Sequence, residues 1–267
     1  MYINKKSFIS AHLVDISPWP FIQSLGLLGV TFGAVYWWHY KIIDIFLNRV
    51  IFCLWIRYQW WKDVCTENWL GWHNSFVSQG LRRGVLFFIL SEVFFFFRFF
   101  WSYFHKCWGP KKEVGWIWPP FGFSSILIDP FSIPLLKTII LLTSGVTITW
   151  THHSLLKEDF IKSFIRLLVT CILGIRFLFM QLLEYSLSYY SINSMSYGTV
   201  FFMLTGFHGM HVIVGTCCLL VCFYRLANID FKNNTHVGFE SSAWYWHFVD
   251  VVWLFLFFFV YWYGFVL

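Results

Sequence analysis

Apolar residues run along this chain in long blocks separated by short polar or Gly/Pro-rich stretches, and the length of the blocks is the first thing they reveal. A helix that crosses the hydrocarbon core of a bilayer needs roughly 20 mainly apolar residues. Seven segments come close to that length, at roughly 21–38, 42–57, 81–104, 134–150, 160–183, 197–224 and 243–265. The second is the most polar, because it contains Asp44, Asn48 and Arg49. Asp44 and Asn48 share a helix face at i and i+4, with Arg49 close enough to help neutralise Asp44. Between the third and fourth segments, Gly109-Pro110, Gly115, Pro119-Pro120, Gly122 and Pro130 predict an extended irregular connection. No internal repeat is visible, and the Phe run at 94–97 is the sole low-complexity stretch. The pattern therefore predicts an all-α, polytopic membrane protein forming a single transmembrane domain over 1–267.

Composition sharpens this picture. With 58% hydrophobic and 12% charged residues and a mean hydropathy of +0.64, the chain lacks the polar surface that a soluble globule needs. The 34 Phe supply bulk in lipid, and many of the 17 Trp are expected at headgroup depth. Seven Cys, at 53, 65, 107, 171, 217, 218 and 222, show no Cys-x-x-Cys spacing, so they read as packing residues, and no metal site is expected. Residues 1–19 carry Lys5 and Lys6 but neither a cleavable signal nor an amphipathic presequence. Lys and Arg collect on the side of synthesis. An inside N-terminus puts Lys5, Lys6, Arg57, Lys62, Arg82, Arg83, Lys157, Lys162, Arg225 and Lys232 inside, against Lys41, Lys106, Lys111, Lys112 and Lys137 outside. The expected topology is N-terminus inside and C-terminus outside.

Polar groups within the apolar blocks are the candidate chemistry. Glu92 stands about two turns inside the third segment among Phe residues, where an ionised carboxylate costs several kcal/mol, so it is expected to be protonated or hydrogen-bonded. It is either a functional group or a pin between two helices. Arg98 lies on roughly the opposite face, and Arg166 and Arg176 pose the same problem in the fifth segment, with neighbouring chains or lipid phosphates as the expected partners. His208 and His211 share a face at i and i+3. A haem would need a second His from another helix, for which His247 or the His152-His153 pair is available. Hydrogen bonding to a carbonyl or carboxylate is the commoner fate of a buried His, with Glu240, Asp250 and Glu184 as the obvious carboxylates. His208, His211, Glu240, His247 and Asp250 are thus expected to form a buried polar network. Gly29 and Gly33, with Gly26, mark one close helix contact, and Thr205 with Gly209 another. Tyr58-Gln59-Trp60-Trp61-Lys62-Asp63, Glu67 and His73 gather aromatic and charged groups on the inner side, with Arg225 at the inner end of the sixth segment. Such a grouping suits a phospholipid headgroup or ordinary interfacial anchoring.

Read together, these blocks resemble the subunit III family of the haem-copper cytochrome c oxidases. The likeness runs through Pro18-Trp19-Pro20, residues 58–64, Ser91-Glu92-Val93, Phe100-Trp101, Trp118-Pro119-Pro120, Pro134-Leu135-Leu136, residues 149–154, residues 205–215 and residues 236–255. The resemblance implies seven transmembrane helices arranged as two plus five around a lipid-filled V-shaped cleft. It implies a core subunit that binds no haem or copper of its own, those cofactors lying in partner subunits. Its expected role is to stabilise the catalytic subunit and to support proton uptake, while electrons pass from cytochrome c to oxygen and protons are pumped. Expected partners are subunits I and II, accessory subunits of the complex and structural phospholipids (phosphatidylglycerol, phosphatidylethanolamine or cardiolipin), with no nucleic acid. By the same resemblance, Glu92 matches the family's carbodiimide-reactive carboxylate, and Trp60, Trp61, Glu67, His73 and Arg225 match lipid-headgroup positions. Glu92, His152 and His153 are candidate proton-handling residues, and no residue is expected to be catalytic. Arg98 and Arg83 depart from the family pattern, as does the spacing at 65–79. The expected location is the mitochondrial inner membrane, N-terminus on the matrix side, with a bacterial plasma membrane as the alternative.

Two other classes stay open on the residues alone. A secondary transporter predicts broken helices and an inverted repeat, neither of which is visible, and a membrane haem protein predicts two facing His at one depth.

Overall fold

The computed structural model describes residues 16–110, 115–120, 122–123, 126–231 and 236–266. Lys5, Lys6, Lys111, Lys112 and Lys232 of the charge count lie outside the described residues. Among those described the protein is all-helical, without a strand. The helices are α1 (Trp19–Tyr40), α2 (Asp44–Trp69), α3 (Ser75–Trp108), α4 (Ile133–Leu156), α5 (Phe160–Leu187), α6 (Met195–Ala227) and α7 (Val237–Leu256). The last continues through a π-helical turn, Phe257–Tyr263, into Gly264–Val266.

Six of them, all but α2, are long and apolar enough to cross a membrane. Each expected segment is found as a helix, and the helices run further than the apolar blocks. The largest difference is in α2, which starts at Asp44 and continues past Arg57 to Trp69. Asp44 therefore sits in a first turn, where unpaired backbone N–H groups favour a carboxylate. Local chemistry sets several starts. Proline occupies the first turn of α1 and of α4, where its missing N–H costs nothing. Asp159 caps α5 by accepting a hydrogen bond from the Lys162 backbone N–H. That bond and one from the Lys162 side chain hold the Asp159 carboxyl below the usual carboxylate range.

No domain boundary is visible in the sequence, yet the chain resolves into two compact units, Met1–Leu81 and Arg82–Leu267. In the first, α1 lies against α2 at the small-residue face expected from Gly26, Gly29 and Gly33. A Cβ on Gly33 would stand 2.9 Å from the Phe46 Cα, and one on Gly29 would stand 3.0 Å from the Arg49 Cδ. Only glycine admits so close a backbone approach. The Arg49 side chain thus lies over the Gly29 face of α1.

In the second unit α4 packs on α5, α5 on α6 and α6 on α7, and α7 returns to α4. Trp246 of α7 is fully buried at the centre of this bundle. Its ring fills the space left by two glycines, since a Cβ on Gly174 of α5 would meet the ring at 2.8 Å and one on Gly215 of α6 at 2.9 Å. Its Nε1–H donates to Ser144 Oγ of α4 at 2.9 Å. One side chain therefore touches three other helices. The Thr205/Gly209 pair behaves differently from expectation, because the Thr205 hydroxyl shares a hydrogen bond with Tyr185 OH at 2.7 Å while Gly209 has nothing within 4 Å to crowd a Cβ. Trp246→Ala is expected to destabilise the purified chain in detergent by about 3–5 kcal/mol, and Trp246→Phe by less; thermal unfolding followed by tryptophan fluorescence measures both.

Candidate functional site

One deeply buried polar site was not singled out by the sequence pattern. Lys137, counted above among outer-side loop cations, is wholly buried. It is carried one turn into α4, so its ammonium enters the bundle instead of reaching water. Nζ lies 2.7 Å from Glu184 Oε2 and donates to Gln181 Oε1 at 2.8 Å. Tyr261 OH donates to the other carboxylate oxygen, Glu184 Oε1, at 2.5 Å. Aromatic faces complete the shell, with Nζ 4.6 Å from the Trp253 ring centroid and 5.4 Å from that of Tyr261. Gln181 and Glu184 share a face of α5 at i and i+3, and that spacing opposite an intramembrane Lys was the available signal. Glu184, expected as a histidine partner, is a lysine partner.

Glu92 and His211 sit at the midpoints of α3 and α6 and meet directly, Oε2 to Nε2 at 2.7 Å. The other ring nitrogen, Nδ1, lies 2.7 Å from the Phe207 carbonyl, to which it donates its proton. With Nδ1–H committed, one proton must lie between Nε2 and the carboxyl, whether it resides on Glu92 or makes His211 an imidazolium. The pair is boxed by Phe95, Phe96, Tyr245 and Phe248. Glu92 therefore lies deeper than two turns into its helix, because α3 begins at Ser75.

His208 and His211, expected on one face, turn to different neighbours. His208 is fully buried between Phe177 and Trp253, and its Nε2 donates to the Val249 carbonyl at 3.2 Å. The five residues expected as one polar network thus divide. His211 goes to Glu92, His208 to a backbone carbonyl, Glu240 to the cluster described next, and His247 with Asp250 to a separate place on α7. The physical reason is that each helix turn carries a side chain to a different neighbour, which a face count within one helix does not resolve.

At the end of the bundle where α4 stops and α7 starts, His152, His236 and Glu240 each bring one ligand-type atom within 4.8 Å of the others. Glu240 Oε2 accepts from Arg82 Nε at 2.7 Å, and Oε1 lies 3.2 Å from His236 Nε2. These atoms are of a kind that holds a metal ion, but the Arg82 guanidinium already occupies the carboxylate and opposes a second cation. His152 and His236 stand with ring centroids 5.5 Å apart, and His153 is exposed beside them. Arg82 and His236 were not anticipated as members of this site.

In the first unit, Glu67 Oε2 and His73 Nε2 are 3.7 Å apart, so the structure brings those two expected headgroup residues together. Trp60 and Trp61 lie on the same helix end, with Arg57 over the Trp61 ring at 5.7 Å, and Trp19 Nε1 donates to Asp63 Oδ2 at 2.5 Å. Arg225 belongs to the second unit, where it lies 3.6 Å from Asp230 Oδ2 and over the Phe231 ring at 4.7 Å. Of the three problem arginines, Arg166 is met by protein: Nη1 donates to Ser154 Oγ at 2.5 Å, and the guanidinium lies over the Trp150 ring at 3.4 Å. Arg98 and Arg176 are exposed on apolar helices.

A family model described as cytochrome c oxidase subunit III matches residues 9–265. Among curated relatives, the chain is 47% identical over 254 residues to cytochrome c oxidase subunit 3 of Anopheles quadrimaculatus, covering 95% of this chain and 96% of that one. It is 49% identical over 254 residues to the protein of the same name from Drosophila melanogaster, with coverage of 95% and 96%. For the Dugong dugon protein of that name the identity is 47% over 254 residues, with coverage of 95% and 97%.

Removing one partner of a buried ion pair strands the other, so Lys137→Leu is expected to lower stability in detergent by about 3–5 kcal/mol. Lys137→Leu combined with Glu184→Gln should recover a large part of that loss, and a double-mutant cycle of thermal unfolding measures the coupling. For the central pair, Glu92→Gln keeps a donor for His211 Nε2 and should be nearly neutral. Glu92→Leu should cost about 1–3 kcal/mol by the same assay.

Proposed function

Because the chain belongs to the cytochrome c oxidase subunit III family, we propose that it is a non-redox core subunit of an oxidase complex that holds the catalytic subunit in its active geometry and supports proton uptake. The observation that carries this reading is the disposition of its ionisable groups. Lys137 with Glu184 and Glu92 with His211 are paired inside the chain, as befits groups that fix helices against each other. Two imidazoles at the end of the bundle, the half-buried His152 and the exposed His153, stand beside Glu240, Arg82 and the buried His236, as befits groups that exchange protons with a surface. Imidazole titrates nearest to neutral pH, so a cluster of it next to a fixed charge buffers protons locally.

The partner subunits I and II carry haem and copper and pass electrons from cytochrome c to oxygen, while this chain carries none. Accessory subunits surround the same complex. Phospholipid of the phosphatidylglycerol, phosphatidylethanolamine or cardiolipin type is held with its headgroup near Trp60, Trp61, Glu67 and His73 of the first unit, where rings and charges gather at a helix end, and Arg225 of the second unit is a further headgroup position. The complex resides in the mitochondrial inner membrane with the N-terminus of this chain in the matrix. Support for that orientation comes from Lys137: since it is buried in an ion pair, it leaves the outer-side count, and the excess of cations on the N-terminal side grows.

In the assembled oxidase, replacing His152 and His153 is expected to slow proton uptake during turnover while leaving the spectra of the metal centres unchanged. Uptake kinetics equal to those of the parent complex contradict the proton role. The stabilising role has its own readout, the rate at which turnover inactivates the complex after this chain is stripped away, which should rise.

A further inference from the structure

An open groove of about 610 Å³ runs between α4 and α7, with Val146, Val251 and Leu254 on its walls and Thr149, His247 and Asp250 at its floor. The walls are apolar and exposed. Among the described residues the floor is not fully matched. Asp250 is only 7% exposed, and its Oδ1 has no hydrogen-bond partner among the described residues. Its Oδ2 faces His247 Nδ1 at 3.9 Å, too far for a hydrogen bond. The Thr149 hydroxyl spends its one proton on the Gly145 carbonyl at 2.9 Å, so toward His247 Nε2, at 3.3 Å, it is the acceptor. Nε2 then holds the ring proton, and in the neutral ring Nδ1 faces Asp250 as a second acceptor. Whichever atom holds the proton, the Asp250 carboxyl is thus left without a hydrogen-bond partner at Oδ1 among the described residues. Gly145 makes this possible, since a Cβ there would stand 2.7 Å from Asp250 Oδ2.

Depth decides what fills the groove. Gly145 lies at the midpoint of α4, Ile133–Leu156, so the carboxyl is near the middle of the hydrocarbon layer, roughly 15 Å from either headgroup region. Lipid tails reach that depth but bring no donor, and headgroups do not reach it. A buried acceptor left unmatched costs about 1–3 kcal/mol. We propose that this groove seats a transmembrane helix of a neighbouring oxidase subunit, which presents a hydroxyl, amide or indole N–H to Asp250. This rests on the reading of the chain as an oxidase subunit, and it adds where on the chain the partner docks and by which contact.

The test uses the oxidase purified in detergent from its own membrane. With a photoactivatable benzophenone attached at Val251→Cys, the expected adduct joins this chain to another oxidase subunit; adducts confined to phospholipid or to a second copy of the chain overturn the proposal. Asp250→Asn keeps an acceptor and should keep the chain in the complex, whereas Asp250→Leu should lower the fraction retained by about tenfold, the equivalent of one buried hydrogen bond left unmade. Equal retention for Leu and parent overturns it. Should Asp250→Leu not insert, Val146→Trp blocks the groove without touching the carboxyl and should give the same loss, and full retention by that variant again overturns the proposal. If the unsubstituted chain itself fails to purify with the oxygen-reducing subunits, the oxidase reading falls; if it purifies with them but the benzophenone finds only lipid, the docking site alone falls.

Discussion

Hydrocarbon offers no hydrogen bonds, so a polar side chain that a helix carries into it must be answered by another helix. The second unit of this protein is arranged around that demand. Lys137 on α4 is answered from α5 and the π-helical turn, Glu92 on α3 from α6, His208 on α6 from α7, and Trp246 on α7 from α4. Each answer joins two helices that apolar contact alone would leave free to slide, since lipid tails are as apolar as Leu or Phe. The polar contacts therefore set which helices meet and at what height, while the aromatic bulk around them fills the space.

Small residues do the complementary work. The Trp246 indole needs room on two helices at once, and Gly174 with Gly215 provides it. In the first unit the same device appears without the tryptophan, where Gly33 lets the α2 backbone come into contact. Where a glycine meets nothing, as at Gly209, the surface is free of such a constraint. The π-helical turn at Phe257–Tyr263 belongs to this pattern as well, because it brings Tyr261 to Glu184 and the Phe259 carbonyl to Tyr103 OH.

Length and hydropathy made the seven helices legible, because lipid demands a run of apolar residues whatever the tertiary contacts. The ends were less legible. Interfacial stretches such as Tyr58–Trp69 are polar yet helical, and apolar counting stops short of them. The Glu92 and small-residue contacts of α1 could be anticipated because each is a single anomaly against an apolar background. Lys137 was misplaced because a cation near a helix end reads as interfacial unless its carboxylate on another helix is known. The five-membered network failed for a related reason: His208 and His211 share a face by spacing, yet α3 and α7 flank that face on different sides and each takes one ring. Spacing within a helix fixes direction, but only the neighbour fixes the partner.

In this account the ionisable groups join helices and exchange protons, and none of them ligates an electron carrier. The absorption spectrum of the purified full-length chain, separated from the other subunits under mild detergent, tests that claim most directly. The account predicts tryptophan and tyrosine absorption and no Soret band. A haem Soret band that stays with this chain through the separation would contradict it.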